Sequence, residues 1–137
     1  MSFPRVVLDT NILVSSLWGG APRRLLRLWQ RGRLRVLMSP PILEEYLTVL
    51  ARFHPAEDDL DTLTALLGHP RLTEWVVPTV RFHVIPEDPT DHRFLECAVE
   101  GRADAVISGD RHLLRLKRFR EIPMLSPSAF LRQFEGT

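Results

Sequence analysis

The sequence predicts an α/β fold: a mostly parallel sheet covered by helices on both faces. Three observations carry this. Short apolar runs, among them "RVVLD" at 5–9, "LRVLM" at 34–38 and "DAVI" at 104–107, alternate with longer stretches of helical periodicity. The runs are nearly continuous in apolar character, as in strands buried on both faces. Capping residues also fall between the two kinds of segment. The chain has 137 residues, 45% hydrophobic and 26% charged. That size and balance fit one domain with one core, expected over residues 1–137.

Residues 5–9 form the first expected strand. Residues 22–31 follow as an amphipathic helix carrying Leu25, Leu26, Leu28 and Trp29, with Pro22 in its first turn and Gly32 at its end. Between them "LWGG" is apolar for a loop and reads as a flexible connection, or as a turn packing Trp18 on the core. After the strand 34–38, Ser39 is a fitting N-cap, and Pro40-Pro41 suit the first turn of a helix reaching about Phe53. Residues 56–67 are a helix closed by Gly68 and Pro70, and 73–77 a strand. A short extended piece is expected at 80–85, a helix at 90–101 ending on Gly101, and a strand at 104–107. A short helix at 110–116, a strand at 121–125 and a helix at 127–134 complete the chain.

No apolar run approaches the roughly 20 residues of a membrane span. The opening MSFPRVVLD lacks the long apolar stretch of a signal peptide, so the expectation is a soluble, cytoplasmic protein with no membrane partner. One cysteine, Cys97, excludes an internal disulfide and a cysteine zinc cluster, and reads as a small buried hydrophobe. Net charge is only +1, but the positive charge is concentrated. Residues 23–35 hold six arginines and no acid, and 111–120 hold four arginines and a lysine. Such stretches form either solvated helix faces or phosphate-binding footprints. Arg23, Arg24 and Arg111 are the candidate phosphate contacts among them. The five histidines show no metal-ligand spacing, and His92 and His112 read as solvent-facing.

Ligands in open α/β sheets bind beyond the C-terminal strand ends, so acids placed there matter most. Asp9 ends the first strand. Asp110 follows the strand 104–107 through Ser108-Gly109 and opens the next helix. Both have an ordinary alternative role as helix caps. Asp104 precedes its strand, belongs at the opposite edge and reads as structural. Asp91 falls at the middle of an apolar stripe with Phe94, Leu95, Ala98 and Val99, while His92, Arg93, Glu96 and Glu100 mostly point away from it. An inward carboxylate is costly unless hydrogen-bonded or bound to a cation. Glu44 and Glu45 both border the apolar face of their helix, and periodicity does not decide between them. Carboxylates gathered at one sheet end repel and raise each other's pKa. A Mg²⁺ or Mn²⁺ ion with oxygen ligands removes that problem and suits phosphodiester hydrolysis.

These segments resemble a known family. "VVLDTNILVS", "SPPILEEY", "DPTDHRFLECAVEGRADAVISGD" and "HLL" are similar to a PIN domain, with the greatest likeness to toxin components of toxin–antitoxin systems related to VapC. The resemblance covers nearly the whole chain. D-T-N is weak alone, but its combination with D-P-x-D-x-x-F-L-E-C-A and a following S-G-D is specific. It implies a three-layer α/β/α sandwich and a Mg²⁺- or Mn²⁺-dependent endoribonuclease. By motif position it selects Asp9, Glu45, Asp91 and Asp110 as catalytic, metal-binding acids, with Asn11 and Ser108 supporting them. It also implies RNA as substrate, an antitoxin partner and a homodimer or higher homo-oligomer.

Two other readings stand beside it. Phosphatases of the haloacid dehalogenase type also end a first strand in Asp, but they resemble D-x-D-x-T, and Asn11 occupies the second acid position here. A non-catalytic PIN-like module binding RNA or protein would not need all four acids.

Overall fold

A computed structural model of the chain describes residues 3–79 and 92–135. Among these residues six strands form one sheet: β1 (Arg5–Leu8), β2 (Arg35–Met38), β3 (Thr73–Trp75), β4 (Ala105–Ile107), β5 (Arg118–Phe119) and β6 (Ile122–Leu125). Seven helices accompany them: α1 (Thr10–Ser15), α2 (Gly20–Gln30), α3 (Pro40–Phe53), α4 (Glu57–Leu67), α5 (His92–Gly101), α6 (Arg111–Leu116) and α7 (Pro127–Glu135). Strand order is β3-β2-β1-β4-β6-β5. Every pairing is parallel except β5 with β6. The expected α/β class and mostly parallel sheet are therefore present.

The order places the site. From β1 the chain moves outward through β2 to β3. It then returns through α5 to set β4 on the other side of β1. Right-handed crossovers travelling in opposite directions lie on opposite faces, which is how helices come to cover both. One of them, α5, packs across β1, β2 and β4, while α2 packs against α7. The central strands need apolar residues on both sides, and Val6, Val7, Val36, Leu37 and Val106 are all fully buried. The C-terminal ends of β1 and β4 lie side by side where the strand order reverses, and such a crevice is the usual ligand position in this class.

The opposite sheet edge is closed by polar contacts. Asp104 Oδ2 accepts from the Arg5 backbone N–H at 2.8 Å, the structural role expected of it. The Arg5 guanidinium donates to Glu74 at 2.6 Å and to the Gly101 carbonyl at 2.7 Å, tying β1 to β3 and to the end of α5.

Several boundaries differ from expectation, each for a local reason. The helix α1 was not expected, because six residues are too few to show a period. Asp9 caps it, and burial of Ile12, Leu13 and Val14 against its neighbours holds it. Gly20, at φ +68°, opens α2 two residues before Pro22. The two-residue β5 is too short to carry a strand pattern of its own. Its hairpin turn uses Arg120 and Glu121 at positive φ, without the glycine or asparagine that usually marks such a turn. The strands expected at 73–77 and 104–107 are shorter, at Thr73–Trp75 and Ala105–Ile107. The extended piece expected at 80–85 and the first two residues of the helix expected at 90–101 lie outside the described residues.

Candidate functional site

Asp9 follows β1 directly and is 3% exposed. Its extended backbone ends the strand while its side chain begins α1: Oδ1 accepts the Ile12 N–H at 2.9 Å. The other oxygen, Oδ2, accepts a hydrogen bond from the Ser108 hydroxyl. Ser108 is fully buried just beyond β4, and its Oγ in turn accepts the Asp110 N–H at 2.9 Å. Asp110 caps α6 through Oδ1, which accepts the His112 N–H at 2.6 Å. One serine thus links the acids that end β1 and open α6, at the reversal of strand order. Each acid is a helix cap and a member of this constellation at once.

The electrostatics follow from that geometry. Burial, the largest cause, raises the Asp9 carboxyl above its ordinary range, and the Asp110 charge adds to it. Hydrogen bonds from Ser108, Ile12 and Gly109 pull it back.

The α3 helix supplies the next groups. Ser39 caps it, accepting the Ile42 N–H at 3.4 Å as its position suggests. Glu44 is exposed, whereas Glu45 turns toward α5, where its Oε2 lies 3.2 Å from Nη1 of Arg93. Tyr46, which follows Glu45 in the chain, is buried in the core. Its hydroxyl donates to the Leu8 carbonyl at 2.5 Å, which pins α3 to the end of β1. Burial first, then the charges of Asp9 and Cys97, push the Tyr46 hydroxyl well above its ordinary range, so it stays a proton donor. Adjacency to Glu45 on the apolar face is the sequence signal for that contact.

Asp91 lies outside the described residues. Among the described residues, no three His, Cys, Asp or Glu side chains are grouped so as to hold a metal ion. What the structure brings together is Asp9 with Asp110, and Glu45 with Arg93. The donor set is carboxylates and one hydroxyl, hard oxygens that fit Mg²⁺ or Mn²⁺ and not a soft metal. Thr10 Oγ1, beside Asp9 in the chain, is buried without a hydrogen-bond partner among the described residues. Cys97 is buried, and its thiol is pushed up to about 12, chiefly by that burial. This matches its reading as an inert small side chain.

The other expected contributors are placed as follows. Asn11 is exposed in the first turn of α1. Arg23 donates to the Ser16 and Leu17 carbonyls at 3.3 and 3.5 Å, so it caps the end of α1. Arg24 and Arg111 are exposed, and Arg111 immediately follows Asp110. Trp18 is not in the core: it is 63% exposed, with its ring 5.4 Å from that of Phe53. Two expectations are corrected. His92 is 8% exposed rather than solvent-facing, and Glu96 is 7% exposed rather than turned away. The reason is that α5 packs on three strands and also on α3, so more than one stripe of it is covered.

Comparison with known proteins bears on the fold and the family. No curated protein matches the chain. The fold is similar to a chain in the crystal structure of VapBC2 from Rickettsia felis bound to a DNA fragment from their promoter. The TM-score is 0.59 at 13% identity, over 89% of this chain and 98% of that one. Residues 5–112, which run from β1 into α6 and include Asp9, Glu45, Asp91 and Asp110, match the PIN domain family, and the chain belongs to it.

Proposed function

We propose that this protein is a divalent-metal-dependent endoribonuclease, and the toxin of a toxin–antitoxin pair. The observation that carries the reading is the Asp9–Ser108–Asp110 constellation at the reversal of strand order, in a chain of a family whose members are generally nucleases. Asp9, Glu45, Asp91 and Asp110 are the proposed ligands of Mg²⁺ or Mn²⁺, with Ser108 and Asn11 in support. A divalent ion held by these carboxylates would activate a water and offset charge building on the phosphoryl group.

The chain's own residues prepare that site. The Ile12 N–H and the Ser108 hydroxyl fix both oxygens of Asp9, so its geometry is set before any ligand arrives. Asp110 is fixed through its bond to the His112 N–H and through its own N–H on Ser108. Arg111 and Arg24, both exposed, are the proposed phosphate contacts, while Arg23 secures the end of α1. An antitoxin partner and a homo-oligomer are part of this proposal; the similar fold of a chain in the VapBC2 structure is in keeping with the first. No helix among the described residues is long and apolar enough to cross a membrane. The proposed setting is the cytoplasm, where RNA is at hand.

The test is cleavage of a labelled, mixed-sequence RNA by the purified protein with EDTA, Mg²⁺ or Mn²⁺, beside Asp9→Asn. The expected result is cleavage that needs the metal. The variant should stay folded and lose more than the roughly 100-fold that outer-sphere partners of a metal site cost. Cleavage surviving in EDTA or in the variant overturns the assignment. Absence of both cleavage and Mn²⁺ binding favours a non-catalytic binding module.

A further inference from the structure

The α3 and α5 helices meet at an ion pair outside the Asp9–Ser108–Asp110 constellation. Nη1 of Arg93 donates to Glu45 Oε2 at 3.2 Å and to the Pro41 carbonyl at 3.4 Å. A single nitrogen therefore holds both the carboxylate and the first turn of the helix that carries it. The pair is half-buried, with 35% of the Arg93 side chain and 21% of Glu45 exposed. A guanidinium that only neutralised a carboxylate would do so best through its two-pronged face. Here one prong is used, and Oε1 of Glu45 accepts no hydrogen bond among the described residues.

Resting on the reading of Glu45 as a metal ligand, we propose that Arg93 is a positioning residue. It fixes Glu45 through Oε2 and leaves Oε1 for a divalent cation. Glutamate has three side-chain torsions to immobilise, and repulsion from neighbouring acids would turn a free carboxylate outward to water. An arginine anchored on Pro41 removes that freedom before the ion arrives. Partners that orient metal ligands in this way are worth tenfold to a hundredfold in metal affinity.

The sign of the effect separates this role from simple charge. By Coulomb's law, deleting a positive charge beside a cation site tightens cation binding. A positioning role predicts the opposite. The experiment is Mn²⁺ titration calorimetry on the purified full chain, comparing wild type, E45Q, R93Q, R93K and E45Q/R93Q, with circular dichroism to confirm folding. R93Q is expected to weaken Mn²⁺ binding by about 10- to 100-fold. R93K should lose less, because it keeps a charged donor within reach of Glu45. The double variant should bind no more weakly than E45Q, since Arg93 acts through Glu45. Unchanged or tighter binding in R93Q, with E45Q weakened, overturns the role of Arg93 alone. Unchanged binding in E45Q overturns the assignment of Glu45, and this proposal falls with it. Should R93Q not fold, R93K decides by the same sign: any tightening refutes the proposal.

Discussion

Replacing Ser108 with alanine removes one oxygen and two hydrogen bonds at the centre of the site. The hydroxyl donates to Asp9 Oδ2 and accepts the Asp110 N–H, and the residue is fully buried, so water does not replace either bond. A hydrogen bond to a charged group contributes about 1.5–3 kcal/mol, and a neutral one about 1 kcal/mol. The expected loss for the metal-free protein at neutral pH is therefore about 3 kcal/mol, a large share of a typical domain's stability. The pH dependence gives a second, signed test. Burial already raises the Asp9 carboxyl above its ordinary value of 3.8, and the Ser108 bond pulls it down. Without Ser108 it rises further. An acid that binds its proton more tightly in the folded than in the unfolded chain weakens the fold wherever it is ionised in both. That weakening is relieved as pH falls through the folded pKa toward the unfolded one. The penalty of S108A should thus be greatest near neutrality and shrink on acidification. Urea unfolding of wild type and S108A at about pH 7.5 and about pH 5 reads both effects. A penalty under about 0.5 kcal/mol, the range of ordinary surface substitutions, or one equal at the two pH values, would refute the reasoning.

Two further outcomes follow from neighbouring residues. Tyr46→Phe deletes the hydroxyl bonded to the Leu8 carbonyl and leaves that buried acceptor short of a partner. It should cost about 1–3 kcal/mol in urea unfolding while the far-UV spectrum is unchanged. Cys97, buried and with its thiol pushed up to about 12, should resist a thiol-specific reagent in the native protein and react at once in denaturant.

The parts of the fold visible in the sequence were those where a local rule and the tertiary structure agree. Ser39, Pro40 and Pro41 announce α3, and Gly32 and Gly101 mark helix ends within a residue or two. The continuous apolar runs of β1, β2 and β4 announced burial on both faces. What escaped depends on contacts distant in the chain. A six-residue α1 has no period of its own, and β5 exists only because β6 pairs with it. The choice between Glu44 and Glu45 could not be made from periodicity because both border one face. The structure separates them by a partner, Arg93, on another helix. His92 and Glu96 were misplaced because a helical wheel assumes a single buried stripe, whereas α5 sits between the sheet and α3.

Asp9 shows why capping and site-building are not rival explanations of one residue. A strand that passes straight into a helix exposes free N–H groups at the turn, and an acid there is held by them and by the helix dipole. At a solvated helix end those terms lower a carboxyl's pKa. At Asp9 burial outweighs them, together with the Ser108 bond, and the net direction is upward. A cap alone would not need a position 3% exposed with a second acid, Asp110, joined through one serine. The cap residues of α1 and α6 are thus brought together where local stabilisation is insufficient for one of them. An added positive charge beside such a pair would offset both the burial of Asp9 and the repulsion from Asp110. The metal titration and the S108A unfolding series probe this imbalance from opposite sides, one by supplying the charge and the other by removing the hydroxyl that partly offsets its absence.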